Sequence, residues 1–179
     1  VLALKQTLKG MGYDNEIINF SNLGCSDIYS ILPPIHPFRR GIRGRFQNWI
    51  KSIQYYSILK RQHASYENFI ANKLRLSNRA YNSNEELQNA HFDYTHYITG
   101  SDQVWNIACP DADTAYYLDF VKEGKKIAYA VSTGATDIAK KANNPELYKK
   151  FVDDFDFISV REQNAVVQLK KMTGRNEIE

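Results

Sequence analysis

The feature that most constrains the fold is an alternation of short β-rich segments, polar turns and helical segments. The β-rich segments are residues 93–99, 126–131 and 155–160, each followed by a turn with small or polar residues. Residues 137–153 have the pattern of one or two helices, and residues 162–172 form an amphipathic helical pattern. Strands joined by helices pair in parallel through right-handed crossovers. The sequence therefore predicts an α/β fold with a doubly wound, mostly parallel sheet and flanking helices.

The beginning of the sequence continues this alternation. Residues 1–11 have apolar side chains at helical spacing, and Gly12 follows at the position where helices often end in a left-handed conformation. Residues 14–20 are then expected to form a strand. The strand that should precede the first helix is missing, and residues 172–177 resemble a helix end followed by the start of another element. We therefore expect residues 1–179 to be a single α/β domain from a longer protein.

Composition and motifs exclude several classes of protein. Apolar residues make up 43% of the chain and charged residues 24%, as in ordinary globular domains. No apolar run approaches the length of about 18 residues that spans a bilayer. Cys25 and Cys109 lie far apart and outside any metal-binding spacing, which suits a cytoplasmic protein without a metal site. Phosphate-binding loops and hydrolase or zinc-protease motifs do not occur.

Residues 36–80 are interpreted as a basic helical insertion. No acidic residue occurs from Ile28 to Tyr66, and apolar side chains recur every three or four positions from Phe38 to Tyr56. The basic side of this helix is either a solvated face or a surface for an anionic glycan, a lipid-linked phosphate or membrane headgroups. Peripheral membrane contact would then involve residues 38–61, at the inner face of the membrane. Nucleic acid is not expected, because no binding motif is present.

Polar clusters follow all three β-rich segments, where an open parallel sheet binds its ligands. The most specific cluster is Gly-Ser-Asp-Gln-Val-Trp-Asn, residues 100–106. A carboxylate beside amides and an aromatic plane is a common arrangement for holding sugar hydroxyls. The alternative is that Asp102 caps a helix and Trp105 lies in the core. The candidate substrate-binding residues in this segment are Ser101, Asp102, Gln103, Trp105 and Asn106.

The other two clusters add Ser132, in the Ser-Thr-Gly turn, and Arg161, directly after the third segment. The planar guanidinium of Arg161 suits a phosphate or a carboxylate. The alternatives are that Arg161 pairs with Glu162 or Asp156, or that it is only exposed to solvent.

Four segments together resemble the polysaccharide pyruvyl transferase family. They are VLALKQTLKGMGYDNEIINF, YITGSDQVWN, YYLDFVKEGKKIAYAVSTG and FDFISVREQN, and they cover the chain to about residue 174 apart from the basic insertion. The resemblance implies a Rossmann-like half of a two-domain, glycosyltransferase-B-like enzyme that lacks its C-terminal domain here. It implies transfer of the enolpyruvyl group of phosphoenolpyruvate to sugar hydroxyls of a bacterial surface polysaccharide or its lipid-linked precursor, with no metal or organic cofactor.

The resemblance also assigns roles to matching residues. Arg161 is expected to bind the phosphate or carboxylate of phosphoenolpyruvate, while Ser101, Asp102 and Gln103 line the acceptor side. Asp102 is the candidate base for the acceptor hydroxyl, and the general acid is expected in the missing half, so that the fragment alone is inactive. Two other functions stay open: a nucleotide-sugar glycosyltransferase on the same architecture, and a non-catalytic half that binds glycan.

Overall fold

The computed structural model describes residues 2–25 and 55–179. The described chain divides into two compact units, residues 2–80 and residues 81–179. Among the described residues, no helix is both long enough and apolar enough to cross a membrane.

The described part of the first unit includes a pair of short strands and a helix before each of them. Its elements are α1 (Leu2–Gly10), β1 (Ile17–Phe20), α2 (Tyr56–Lys73) and β2 (Leu76–Tyr81), the last of which ends one residue beyond the unit. The Ile17 N–H donates to Arg75 O at 2.9 Å, and the Asn19 N–H donates to Ser77 Oγ at 2.9 Å. Gly12 adopts φ +89° after α1. The predicted first helix and the strand after it are confirmed.

The structure describes only part of the predicted insertion. The amphipathic helix expected from Phe38 to Tyr56 lies almost entirely outside the described residues. Residues 56–73 are helical, but residues 76–80, which the sequence pattern assigns to the helical insertion, form most of β2. The sequence LSNRAY has little β-propensity, so the strand depends on main-chain pairing with β1 rather than on its own composition.

The second unit is built on a three-stranded parallel sheet in the order β3-β4-β5. Its strands are β3 (His96–Gly100), β4 (Lys125–Val131) and β5 (Phe157–Val160). The register of β4 against β5 shifts between Ala128 and Val131. The main chain of Glu179 forms hydrogen bonds with β5. Its N–H donates to Ile158 O at 3.2 Å, and its carbonyl accepts from the Val160 N–H at 2.6 Å.

Short helices connect and flank these strands. They are α3 (Asn84–Gln88), a 3₁₀ turn (Thr114–Tyr117), α4 (Ile138–Lys141), α5 (Pro145–Asp153) and α6 (Gln163–Thr173). Ser83 caps α3 as predicted, since its Oγ accepts from the Glu86 N–H at 3.2 Å. The break predicted near residues 143–145 separates α4 from α5. The structure confirms an α/β fold with parallel strands and flanking helices.

Aromatic stacking forms the centre of the second unit's core. Trp105 and Tyr117 stack with ring centroids 5.0 Å apart and planes 8° apart, and Phe155 meets Trp105 edge-on at 5.3 Å. Leu87 and Ile158 are also buried. Each large apolar side chain buried in this way contributes roughly 1.5–3 kcal/mol to folding.

The amino-terminal edge of this sheet carries charges that pair with each other. Lys126 is only 7% exposed, and its Nζ pairs with the Asp154 carboxylate. Lys125 Nζ lies 2.6 Å from Asp156 Oδ1, and the Lys126 N–H donates to Asp156 Oδ2 at 2.9 Å. The Lys125 hydrogen bond, followed by that of the Lys126 N–H, lowers the pKa of the Asp156 carboxyl. These contacts join β4 to the start of β5.

Candidate functional site

The carboxyl ends of β3, β4 and β5 are joined by main-chain hydrogen bonds. The Ser132 N–H donates to Asp102 O at 2.9 Å, and the Trp105 N–H donates to Ser132 O at 3.2 Å. The Arg161 N–H donates to Val131 O at 3.0 Å. The predicted clusters at residues 100–106, 132–134 and 161–164 therefore meet at one edge of the sheet.

Gly100 lets the loop after β3 begin so close to β4. Its φ is +124°, and a Cβ built there would lie 2.0 Å from Tyr129 O. The peptide bond from Gly100 to Ser101 is cis. Only glycine fits both this backbone angle and this close approach. Ser101 follows as a half-buried residue at the start of the loop.

Arg161 and Asp102 face each other at this edge. Arg161 Nη2 lies 3.6 Å from Asp102 Oδ1, and the two side chains are 45% and 83% exposed. Asp102 Oδ1 also accepts from the Gln103 N–H at 2.8 Å. No helix follows for Asp102 to cap. An ion pair this exposed contributes at most about 1 kcal/mol, so an incoming ligand can separate it at little cost.

The partner of Arg161 is thus neither of the carboxylates considered from the sequence. Asp156 pairs with Lys125, and Glu162 turns to Ser132, whose Oγ donates to Glu162 Oε1 at 2.7 Å. Glu162 Oε2 is buried with no hydrogen-bond partner. Glu162 belongs to the predicted cluster at residues 161–164, but the sequence does not predict its hydrogen bond with Ser132.

Ser132 differs from the prediction that it contacts substrate. Its side chain is completely buried, donates to Glu162 and accepts from the Gly134 N–H at 3.0 Å. A side chain with no exposed surface and both hydrogen-bonding roles filled offers nothing to a ligand in this structure. Ser132 instead holds the turn after β4 against the start of α6.

Trp105 also differs from the prediction of a flat sugar-binding surface. It has no exposed surface, and Tyr117 covers one face of its ring. The indole Nε1–H donates to Tyr116 O at 3.1 Å, and the Tyr117 hydroxyl donates to Trp105 O at 3.2 Å. Trp105 therefore anchors the loop in the core, which is the alternative that the sequence leaves open.

Asn106 and Gln103 are linked to the turn after β4. Asn106 Nδ2 donates to Gln103 Oε1 at 3.0 Å, and Asn106 Oδ1 accepts from the Thr136 hydroxyl at 2.8 Å. Gln103 is exposed, whereas Asn106 is half-buried with both ends of its amide engaged. Sequence reasoning missed Thr136 because it lies well past the end of the predicted strand.

Two further observations concern the binding of ions, the first at this edge and the second over all the described residues. No side chain caps the N-terminus of α6, which begins directly after Arg161 and Glu162. An uncapped helix N-terminus leaves main-chain N–H groups and a partial positive charge available to an anion. Within residues 2–25 and 55–179, no group of three or more His, Cys, Asp or Glu side chains has an arrangement that would hold a metal ion.

The family model for polysaccharide pyruvyl transferase matches residues 1–173, nearly the whole chain. No curated protein and no solved structure matches this sequence.

Proposed function

The chain belongs to the polysaccharide pyruvyl transferase family, a family of transferases in polysaccharide biosynthesis, and from this premise we propose its donor, its acceptor and the roles of its residues. The donor is phosphoenolpyruvate, whose enolpyruvyl group is moved to hydroxyls of a bacterial surface polysaccharide or its lipid-linked precursor. The product is a pyruvate ketal. The observation that carries this proposal is the exposed Arg161–Asp102 pair at the carboxyl edge of the sheet.

Arg161 is proposed to bind the donor. Phosphoenolpyruvate carries a carboxylate and a phosphate, and a guanidinium pairs with either through two parallel hydrogen bonds. The Arg161 main chain is fixed to β4, while its side chain is nearly half exposed. The uncapped N-terminus of α6 supplies further N–H donors beside it. Arg161 and these N–H groups would therefore supply the hydrogen-bond donors for the anionic donor once it displaces Asp102 from the guanidinium.

Asp102 is proposed to act on the acceptor. Its side chain is 83% exposed, so a sugar hydroxyl can approach the carboxylate. The proposed reaction adds one hydroxyl oxygen to C2 of the enolpyruvyl group while C3 gains a proton and becomes a methyl group. A second hydroxyl of the same sugar then displaces inorganic phosphate from C2, which closes the ketal. General bases of this kind typically contribute about 10²–10⁴-fold. No step in this scheme uses a metal or an organic cofactor.

Residues 1–179 are proposed to be the Rossmann-like half of a two-domain, glycosyltransferase-B-like enzyme. The other half would supply the general acid that protonates C3, and the chain alone would bind ligands without turnover. We place the reaction in the cytoplasm, at the inner face of the membrane where lipid-linked precursors are exposed. Supporting this, Lys60 and Arg61 lie exposed on α2, in the described part of the proposed contact over residues 38–61.

Calorimetry with phosphoenolpyruvate tests the donor site. We expect the wild-type chain to bind phosphoenolpyruvate and the R161A variant to lose at least tenfold in affinity, because one charge-assisted hydrogen bond is worth about 1.5–3 kcal/mol. The matched control is R75A, since Arg75 forms another exposed ion pair, 2.6 Å from Asp14. Undiminished binding by R161A would contradict the proposal.

The same titration distinguishes the alternatives. Binding of a nucleotide-sugar such as UDP-glucose without binding of phosphoenolpyruvate would favour a glycosyltransferase. Binding of glycan alone would favour a non-catalytic half. Membrane contact is tested separately by sedimentation with vesicles of phosphatidylcholine and phosphatidylglycerol, where a K60E/R61E variant should bind less than wild type.

A further inference from the structure

The orientation of the Asn106 amide is fixed by a main-chain donor. The Ala108 N–H can only donate, and it points at Asn106 Oδ1 at 3.1 Å. The Thr136 hydroxyl donates to the same oxygen at 2.8 Å. The atom that receives these bonds must therefore be the amide oxygen, which leaves the NH₂ group of Asn106 on the other side.

That NH₂ group in turn fixes the Gln103 amide. Asn106 Nδ2 donates to a Gln103 atom 3.0 Å away, which must be the acceptor Oε1. The Gln103 NH₂ group therefore points away from Asn106. Because the Gln103 side chain is exposed, this end of its amide is available to a ligand as a donor.

Gly134 packs directly against this amide pair. A Cβ at this position would lie 2.7 Å from Asn106 Nδ2 and 3.2 Å from Gln103 Oε1, and the Gly134 φ is +59°. The turn after β4 thus closes one side of the pair. The two amides have little room to take another arrangement without moving this turn.

We infer that Asn106 is a positioning residue that fixes the Gln103 side-chain amide as a hydrogen-bond donor, on the residue that directly follows Asp102. An acceptor and a donor on neighbouring residues match a pair of sugar hydroxyls, one donating to Asp102 and the other accepting from Gln103. The ligand is therefore the polyol acceptor, since the Asp102 carboxylate can only accept a hydrogen bond and a sugar hydroxyl can donate one. This inference rests on the proposed function for its ligand class.

The Asn106→Asp substitution tests the inference because it keeps the shape and inverts the polarity. The new carboxylate would still accept from Ala108 and Thr136, but its second oxygen could only accept. Gln103 must then turn its NH₂ group inward and present Oε1 to the ligand. A108D is the matched control, because it adds the same charge to an exposed position on the same loop and leaves the amides unchanged.

The measurement is the side-chain amide signal of Gln103 in ¹H–¹⁵N spectra, titrated with methyl β-D-galactopyranoside and methyl α-D-mannopyranoside. In the wild type and A108D, we expect at least one glycoside to shift this signal and its per-O-methylated form not to. In N106D, the Gln103 signal of the ligand-free protein should move. Glycoside affinity should fall about tenfold, which corresponds to the loss of one hydrogen bond. If N106D fails to fold, Q103E removes the same donor and should give the same loss.

Three outcomes would overturn the inference: a wild-type Gln103 signal that no glycoside moves, a signal moved by phosphoenolpyruvate instead, or equal glycoside binding by wild type and the folded variant. Loss of phosphoenolpyruvate binding with the glycoside response intact would count against the proposed donor and leave this inference standing.

Discussion

Replacing Gly100 with alanine is expected to disrupt the candidate site and destabilise the second unit. The added Cβ would lie 2.0 Å from Tyr129 O and 3.3 Å from Val131 Cγ1. The nearer neighbour is main chain, so it cannot rotate away as a flexible side chain would. To reach an ordinary contact beyond 3.4 Å, β3 and β4 must move apart, which stretches their hydrogen bonds.

The expected loss of folding stability in G100A combines three effects. A non-glycine residue in the left-handed region costs about 1–2 kcal/mol, and the lower entropy of the unfolded alanine chain returns about 0.4–1 kcal/mol. The clash adds lost strand hydrogen bonds of about 0.5–1.5 kcal/mol each. If about two of these bonds are lost, the total for G100A comes to about 1–5 kcal/mol, with a midpoint of about 3 kcal/mol.

G174A provides the matched control. Gly174 also has a positive φ, +79°, but nothing lies within 4 Å of a Cβ placed at this position. This variant carries the backbone strain without the clash, so its loss should not exceed about 1.5 kcal/mol. Urea unfolding followed by far-UV circular dichroism and tryptophan fluorescence measures both variants. A G100A loss no larger than that of G174A would refute the steric argument.

Two other expectations follow from the packing and the charges of the second unit. W105F removes the indole hydrogen bond to Tyr116 O and leaves part of a fully buried ring site empty, so it should destabilise the chain by about 1–3 kcal/mol in urea unfolding. A loss below about 0.5 kcal/mol would contradict this. The hydrogen bond from Lys125 lowers the pKa of the Asp156 carboxyl in the folded protein. The ionised carboxylate therefore stabilises the fold above the unfolded pKa of about 3.9, and this stabilisation is lost as the pH falls through the folded value. The melting temperature of D156N should therefore lie below that of wild type at neutral pH and approach it under acid conditions, and a gap that stays constant into strong acid would argue against the assignment.

Much of the second unit is predictable from the sequence because its signals are local. Short apolar segments bounded by turns locate β3, β4 and β5, and the residues around Pro145 locate the break between α4 and α5. The meeting of the three polar clusters follows from the rule that the carboxyl ends of parallel strands share an edge. The same rule places Arg161 and Asp102 on one edge, as the structure has them.

The predictions that differ from the structure depend on contacts between distant residues. Trp105 looks like a surface aromatic because its neighbours in sequence are polar, but Tyr117 and Phe155 bury it. Ser132 looks accessible, yet its hydroxyl donates a hydrogen bond to Glu162, 30 positions further on. Strand β2 escapes prediction because its pairing partner lies 58 positions earlier in the chain, as the Asn19–Ser77 bond shows. A short stretch of sequence cannot show which distant residues will pack against it.

The two edges of the second unit's sheet pair their charges differently. At the amino edge, Lys125 and Lys126 find their countercharges in Asp156 and Asp154. At the carboxyl edge, Arg161 has a loosely held carboxylate opposite it. Replacing the exposed Arg161 or Asp102 side chain should therefore cost little stability, whereas Gly100 on the same edge has to be kept.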